Sequence, residues 1–229
     1  MDLQLPAELE QGSAFFIECR GAQASWSLQF VYADKKKSPL FPAVMFNVGN
    51  STQSGGKTSL VYPVFLVGID PLAAPGEAQA VILDESGTRI VLAVITIKQR
   101  KWEREDIYLD AALTAMIQTP DPQKTEQAKR YQEILSTVNR KSVFLFAPFK
   151  VPVKKPRITS DFGSQRRYVY SNKTTSLSYH AGLDFGKEQD NSIVACGSGK
   201  VVMAENRIVT GNTVIIEHLP GLYSIYMHM

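Results

Sequence analysis

The chain has 229 residues, of which 44% are hydrophobic and 21% charged, with a formal net charge of +3. This composition is that of a globular protein with room for one large domain or two small ones, and it excludes collagenous and charge-rich disordered chains. The excess of 25 Lys and Arg over 22 Asp and Glu is mildly basic, far short of a nucleic-acid-binding signature. Cys19 and Cys196 are far apart and no Cys-x-x-Cys pair exists, so two separate thiols are expected rather than a multi-thiolate metal site. No stretch approaches the roughly 18 apolar residues of a membrane span. The N-terminus has neither a basic n-region nor an apolar h-region, so no signal peptide is expected in this sequence: either the protein stays in the cytoplasm or an export signal has been removed.

Residues 1–109 read as a β domain. Strands are expected over 14–19, 26–32, 43–48, 59–67, 78–83 and 89–98, which are rich in Val, Ile, Phe and Tyr. Turn residues punctuate them: Gly49-Asn50, Gly55-Gly56, Pro75-Gly76 and Ser86-Gly87. Trp26, Leu28 and Phe30 alternate with Ser27 and Gln29, as in a half-buried strand. Short strands at this density predict an immunoglobulin-like β-sandwich. The run Lys35-Lys36-Lys37 reads as a solvated loop.

Residues 110–156 read as a helical connector and linker. The period lengthens over 125–138, where Ala128, Tyr131, Leu135 and Val138 share one helical face, and Asp121-Pro122 is a start signal. A shorter helix is expected over 110–118. Phe144, Phe146 and Phe149 are candidates to pack onto a neighbouring domain, ahead of the extended run Val151-Pro152-Val153-Lys154-Lys155-Pro156. Residues 157–229 turn β-rich again, with strands expected over 192–196, 200–204, 213–217 and 223–227.

The chemistry is concentrated in this last region. His180 and Asp184 are four residues apart, but Gly182 between them argues against a helix. Four fully extended residues would separate them by roughly 13 Å, so only a bend near Gly182 lets the side chains converge. One imidazole nitrogen and one carboxylate oxygen suit zinc, and such a pair alone is a weak signal that a surface histidine near an acid also satisfies.

Several segments surround the pair in order. Arg157-Ile158-Thr159-Ser160-Asp161-Phe162-Gly163-Ser164-Gln165-Arg166-Arg167 precedes it, and Tyr179-His180-Ala181-Gly182-Leu183-Asp184-Phe185 contains it. Gly197-Ser198-Gly199-Lys200-Val201, Gly211-Asn212-Thr213-Val214-Ile215-Ile216-Glu217-His218 and Tyr223-Ser224-Ile225-Tyr226-Met227-His228 follow. In this order the chain resembles the lysostaphin-type zinc peptidases of peptidase family M23 over about residues 142–229. The resemblance implies a mainly β, M23-type catalytic domain over 157–229 that hydrolyses peptides of peptidoglycan. It implies His180 and Asp184 as zinc ligands and His228 as the histidine that assists catalysis beside the ion. His218 matches no ligand position and is expected to be structural. Arg166 and Arg167 are candidates for the substrate groove, a solvated arginine pair being the other reading.

The family's third ligand and second catalytic histidine come from a His-x-His motif beyond the position of His228. The three histidines here are His180, His218 and His228, and no His-x-His occurs. The expectation is therefore an incomplete zinc site in a C-terminally truncated catalytic domain, with little activity alone. A non-catalytic member that binds peptidoglycan or regulates another wall hydrolase is the alternative, and an adhesion module is a third reading. By resemblance, the partners are peptidoglycan peptides and a protein contacting the N-terminal domain, and the place is the cell envelope or periplasm.

Overall fold

The computed structural model describes residues 2–3, 5–20, 26–32, 43–48, 62–145, 147–187, 190 and 192–229. Lys35-Lys36-Lys37, the turns at Gly49-Asn50 and Gly55-Gly56, the beginning of the strand expected over 59–67, and Phe146 lie outside these residues. The chain divides into two compact units, Met1–Lys101 and Trp102–Met229.

The first unit holds eight described strands: β1 (Asp2–Leu3), β2 (Glu8–Glu10), β3 (Ala14–Arg20), β4 (Ser27–Tyr32), β5 (Ala43–Val48), β6 (Tyr62–Gly68), β7 (Gly76–Leu83) and β8 (Arg89–Lys98). They are hydrogen-bonded in the order β1-β3-β6-β5-β4-β7-β8-β2. The β4–β5 seam is short, Ser27↔Val44 and Leu28↔Ala43, so the order falls into two four-stranded halves. One core joins the halves, because Ile17, Phe65 and Val67 from one and Leu9, Phe30, Ile82 and Ile97 from the other belong to a single buried cluster. Alternation along β4 puts Leu28, Phe30 and Tyr32 inside, as the sequence predicts. Full burial of a Phe such as Phe65 is worth about 2–3 kcal/mol. Cys19 is buried, Cys196 of the other unit is half-buried, and both are free thiols.

The second unit begins with β9 (Arg104–Tyr108). The sequence reading places residues 104–108 with the N-terminal domain, but β9 pairs in parallel with β11 (Gln165–Val169). Its alternation is weakly apolar, and what it offers is charge: Glu105 and Asp106 lie opposite Arg166 and Arg167. Two helices follow, α1 (Ala111–Gln118) and α2 (Pro122–Ser136). Asp110 caps α1 by accepting from Leu113 N at 2.8 Å. Asp121 caps α2 by accepting from Gln123 N and Lys124 N at 2.7 and 3.1 Å, with Pro122 in the first turn. The caps start α2 three residues before the periodicity does.

Of the predicted inner face of α2, Tyr131 and Leu135 are half-buried, whereas Ala128 and Val138 are exposed, Val138 lying past the helix end. Gln127 and Tyr131 face the sheet formed by β14 (Lys200–Arg207), β15 (Gly211–Leu219) and β16 (Leu222–Tyr226). The Arg207 guanidinium lies 4.7 Å from the Tyr131 ring centroid, and Arg130 pairs with Glu205 at 2.6 Å. Polar and cation–π contacts act beside the half-buried Tyr131, Ile134 and Leu135 in holding the helix here. The strand expected over 192–196 is reduced to one bridge, Val153↔Ile193. Cys196 is engaged otherwise: its N–H donates to the Tyr226 hydroxyl at 2.7 Å and its carbonyl accepts from Lys150 N at 2.7 Å.

Candidate metal site

Two short ladders converge on the site. The β11–β12 hairpin, with β12 at Thr175–Tyr179, continues one step past its last pair: His180 N donates to Ser164 O at 2.8 Å, and Gly163 N donates to His180 O at 2.8 Å. The second ladder pairs β10 (Ile158–Ser160) with β13 (Asp184–Phe185), setting Asp184 opposite Ser160. Gly163 sits at φ +85° under Trp102, and an added Cβ there would lie 2.0 Å from a ring carbon. Only glycine meets both demands.

The chain bends at Gly182, and His180 Nε2 lies 3.1 Å from Asp184 Oδ1. Two donors bound to one tetrahedral ion at 2.0–2.1 Å stand about 3.3 Å apart, so the separation suits a shared ion. The other ring nitrogen, Nδ1, is 3.0 Å from Asp161 O and 3.3 Å from Ser160 Oγ. A carbonyl oxygen can only accept, so Nδ1 carries the hydrogen of that bond. In the neutral tautomer with its hydrogen on Nδ1, the Nε2 lone pair faces a carboxylate oxygen, whereas a protonated ring would donate to that oxygen instead. A cation placed between the lone pair and the carboxylate satisfies both. This is the arrangement in which the second nitrogen of a ligand histidine is fixed by a backbone carbonyl.

Asp184 is held from its other side. Arg166 Nη2 is 3.3 Å from Asp184 Oδ2 and 2.7 Å from Ser160 Oγ, while Arg166 Nε donates to Glu105 Oε1 at 2.6 Å. The Arg166 side chain is 15% exposed, so it is part of the site's wall. Arg167 points elsewhere and pairs with Asp106.

The structure thus gathers His180, Asp184 and Arg166. It does not add His228 as a further donor: among the described residues no group of three or more His, Cys, Asp or Glu side chains is placed to share an ion. His228 is exposed at the end of β16, at φ 59°, with its N–H donating to Thr210 O at 2.8 Å. That is an uncommon backbone for a residue with a Cβ. His218 is fully buried with both nitrogens occupied, Nδ1 by Ser198 O at 2.7 Å and Nε2 by Ser224 Oγ at 2.8 Å. Ser160, Asp161, Gly163 and Glu105 are the contributors that reading for ligands alone passes over. The first three lie in the Ser-Asp-Phe-Gly run ahead of the pair, whereas nothing in the sequence marks Glu105.

Residues 178–229 match the model of Peptidase family M23. The match lies in the C-terminal part of the chain. The chain is similar, at 33% identity over 87 residues, to a Buchnera aphidicola subsp. Baizongia pistaciae protein described as an uncharacterized metalloprotease. That alignment covers 38% of this chain and 22% of the relative, so the chain spans under a quarter of its relative's length. In overall fold the chain is similar to a crystal structure of a Pseudomonas aeruginosa protein assigned to peptidase M23. The TM-score is 0.51 at 17% identity, over 96% of this chain and 73% of the other. The fold is mainly β, as expected for an M23 protein, and no helix among the described residues is long and apolar enough to cross a membrane.

Proposed function

We propose that this chain carries part of the catalytic centre of an M23-type zinc metallo-endopeptidase that hydrolyses peptides of peptidoglycan in the cell envelope. The observation that carries this reading is the 3.1 Å approach of His180 Nε2 to Asp184 Oδ1, both inside the family-matched segment, with Nδ1 fixed on the carbonyl of Asp161 ahead of it. His180 and Asp184 would hold the ion, which when bound supplies Lewis-acid polarisation and a more acidic water. The chain's own part is to present two aligned donors, to keep the imidazole in one tautomer through Asp161 O, and to orient the carboxylate through Arg166. Hydrolysis adds water across the peptide C–N bond, giving a carboxylate and an amine. His228, exposed beside the strand end, is the residue to assist proton transfer in that step.

Two donors are half of a tetrahedral set. The described chain alone is therefore expected to bind zinc weakly and to cleave slowly, and a binding or regulatory role is the second reading, favoured by the absence of a third donor among the described residues. Zinc titration by calorimetry, with peptidoglycan digestion in parallel, tests both. One zinc per chain, weakened at least tenfold in His180→Ala and Asp184→Asn, supports the metal pair. Zinc affinity unchanged in both variants overturns it. Zinc-dependent cleavage separates the peptidase from the binding protein.

A further inference from the structure

Resting on the metal-pair reading, we infer that Glu105 on β9, the strand that opens the second unit, is a positioning residue for the metal site and acts through Arg166. Three observations meet at this guanidinium. Its Nε donates to Glu105 Oε1 at 2.6 Å; its Nη2 donates to Ser160 Oγ at 2.7 Å and approaches Asp184 Oδ2 at 3.3 Å. Arg166 therefore spans from a carboxylate on β9 to the candidate ligand on β13, with Ser160, which itself lies 3.3 Å from His180 Nδ1, between them. The planar fork makes these contacts in fixed relative directions, which a lysine ammonium cannot reproduce.

The consequence for Asp184 is specific. Engaging Oδ2 leaves Oδ1 turned toward His180 Nε2, so the carboxylate offers one oxygen rather than two. Charge points the same way. A guanidinium this close to a bound dication would repel it, and the Glu105 carboxylate offsets that repulsion. Glu105 thus does two things that weaken metal binding when lost: it fixes the fork and it neutralises it. The parallel register of β9 on β11 places Glu105 directly opposite Arg166, and the neighbouring pair Asp106–Arg167 anchors the same strand without touching Asp184.

That neighbouring pair is the internal control. Cobalt and zinc affinities would be measured by calorimetry or chelator competition on the full chain. The variants are Glu105→Gln, Arg166→Lys, Asp106→Asn, His180→Ala and Asp184→Asn. The cobalt absorption spectrum serves as a readout of ligand geometry that does not depend on activity. The expected result is a loss of roughly tenfold in metal affinity with an altered spectrum for Glu105→Gln and Arg166→Lys, and no change for Asp106→Asn. Arg166→Lys keeps the charge, so its loss isolates positioning from electrostatics. Equal losses in Glu105→Gln and Asp106→Asn would overturn the inference, because strand anchoring alone would then explain both. Unchanged affinity in Glu105→Gln and Arg166→Lys, with losses in His180→Ala and Asp184→Asn, would overturn it while leaving the metal pair standing. Failure of those last two to weaken binding would defeat the metal-pair reading itself.

Discussion

His180 and His218 lie in one unit and are both well buried, yet their surroundings assign them opposite work. The His180 side chain is only 10% exposed and His218 is fully buried, so burial does not separate them. What separates them is the second ring nitrogen. Each donates or bonds through Nδ1 to a backbone carbonyl, Asp161 O in one case and Ser198 O in the other. At His218 the remaining nitrogen meets the Ser224 hydroxyl, a group able to donate or to accept. At His180 the remaining nitrogen meets a carboxylate, which can only accept when ionised. A histidine bonded to a carbonyl and a hydroxyl holds structure together; one whose second nitrogen faces a carboxylate is placed to share a cation with it.

The contrast can be broken by exchanging stability for binding. The largest expected effect is on stability, in His218→Ala. It leaves Ser198 O and Ser224 Oγ without their partner, opens a cavity beside Phe149, and should cost about 3 kcal/mol in urea unfolding. Zinc affinity, corrected to the folded fraction, should stay within twofold. Parallel loss of zinc binding would show the two histidines to be one system.

Gly163→Ala is next. A Cβ cannot share space with the Trp102 ring, and the left-handed backbone adds strain, so a loss of about 2 kcal/mol is expected. Because Gly163 N bonds His180 O, metal affinity should fall with it, unlike in His218→Ala. Preserved affinity would show that this carbonyl contact does not position the imidazole.

His180→Ala gives the mirror image of His218→Ala. Stability should change by about 1 kcal/mol or less, since one hydrogen bond to a carbonyl is lost, while zinc binding falls at least tenfold. A large fall in the urea midpoint would place His180 among structural residues instead.

Much of this architecture was readable in advance, and the failures have a common cause. Six of the eight described strands of the first unit announce themselves by β-rich composition, with period-2 alternation in β4, whereas the short β1 and β2 do not. The β14–β15–β16 sheet was found for the same reason. Strands β9, β11 and β12 do not announce themselves: Arg104-Glu105-Asp106 pairs with Gln165-Arg166-Arg167 through backbone bonds and complementary charge, and Thr175-Ser176-Leu177 joins β11 through backbone bonds, which leaves no hydrophobic period. Apolar period finds Tyr131 and Leu135 on the inner face of α2 but not Gln127, whose contact is a hydrogen bond from Ile208 N. At the site, the bend at Gly182 follows from the distance that four extended residues would impose. The role of Glu105 does not, because it depends on a pairing across 61 positions of sequence.

The smallest effect sharpens the comparison between the two ion pairs on β9. Arg167 beside Asp106 holds that carboxyl below the usual carboxylate range, mainly through their hydrogen bond. A carboxyl lowered in the folded state adds stability above its unfolded value, near 3.9, and loses it as pH falls through its folded value. The pair is exposed, so the contribution is small. A slight acid-side loss below about pH 4 should be present in the wild-type protein and reduced in Asp106→Asn, by thermal melts over pH 3–7. An identical acid limb in that variant would show that Asp106 contributes nothing to it.

The most direct test of the central claim is to locate the ion. Crystals grown with zinc would be measured at the zinc absorption edge for anomalous scattering. The account predicts one peak about 2.0–2.2 Å from both His180 Nε2 and Asp184 Oδ1. Zinc found only elsewhere, or no zinc at this pair while His180 and Asp184 keep their positions, would contradict it.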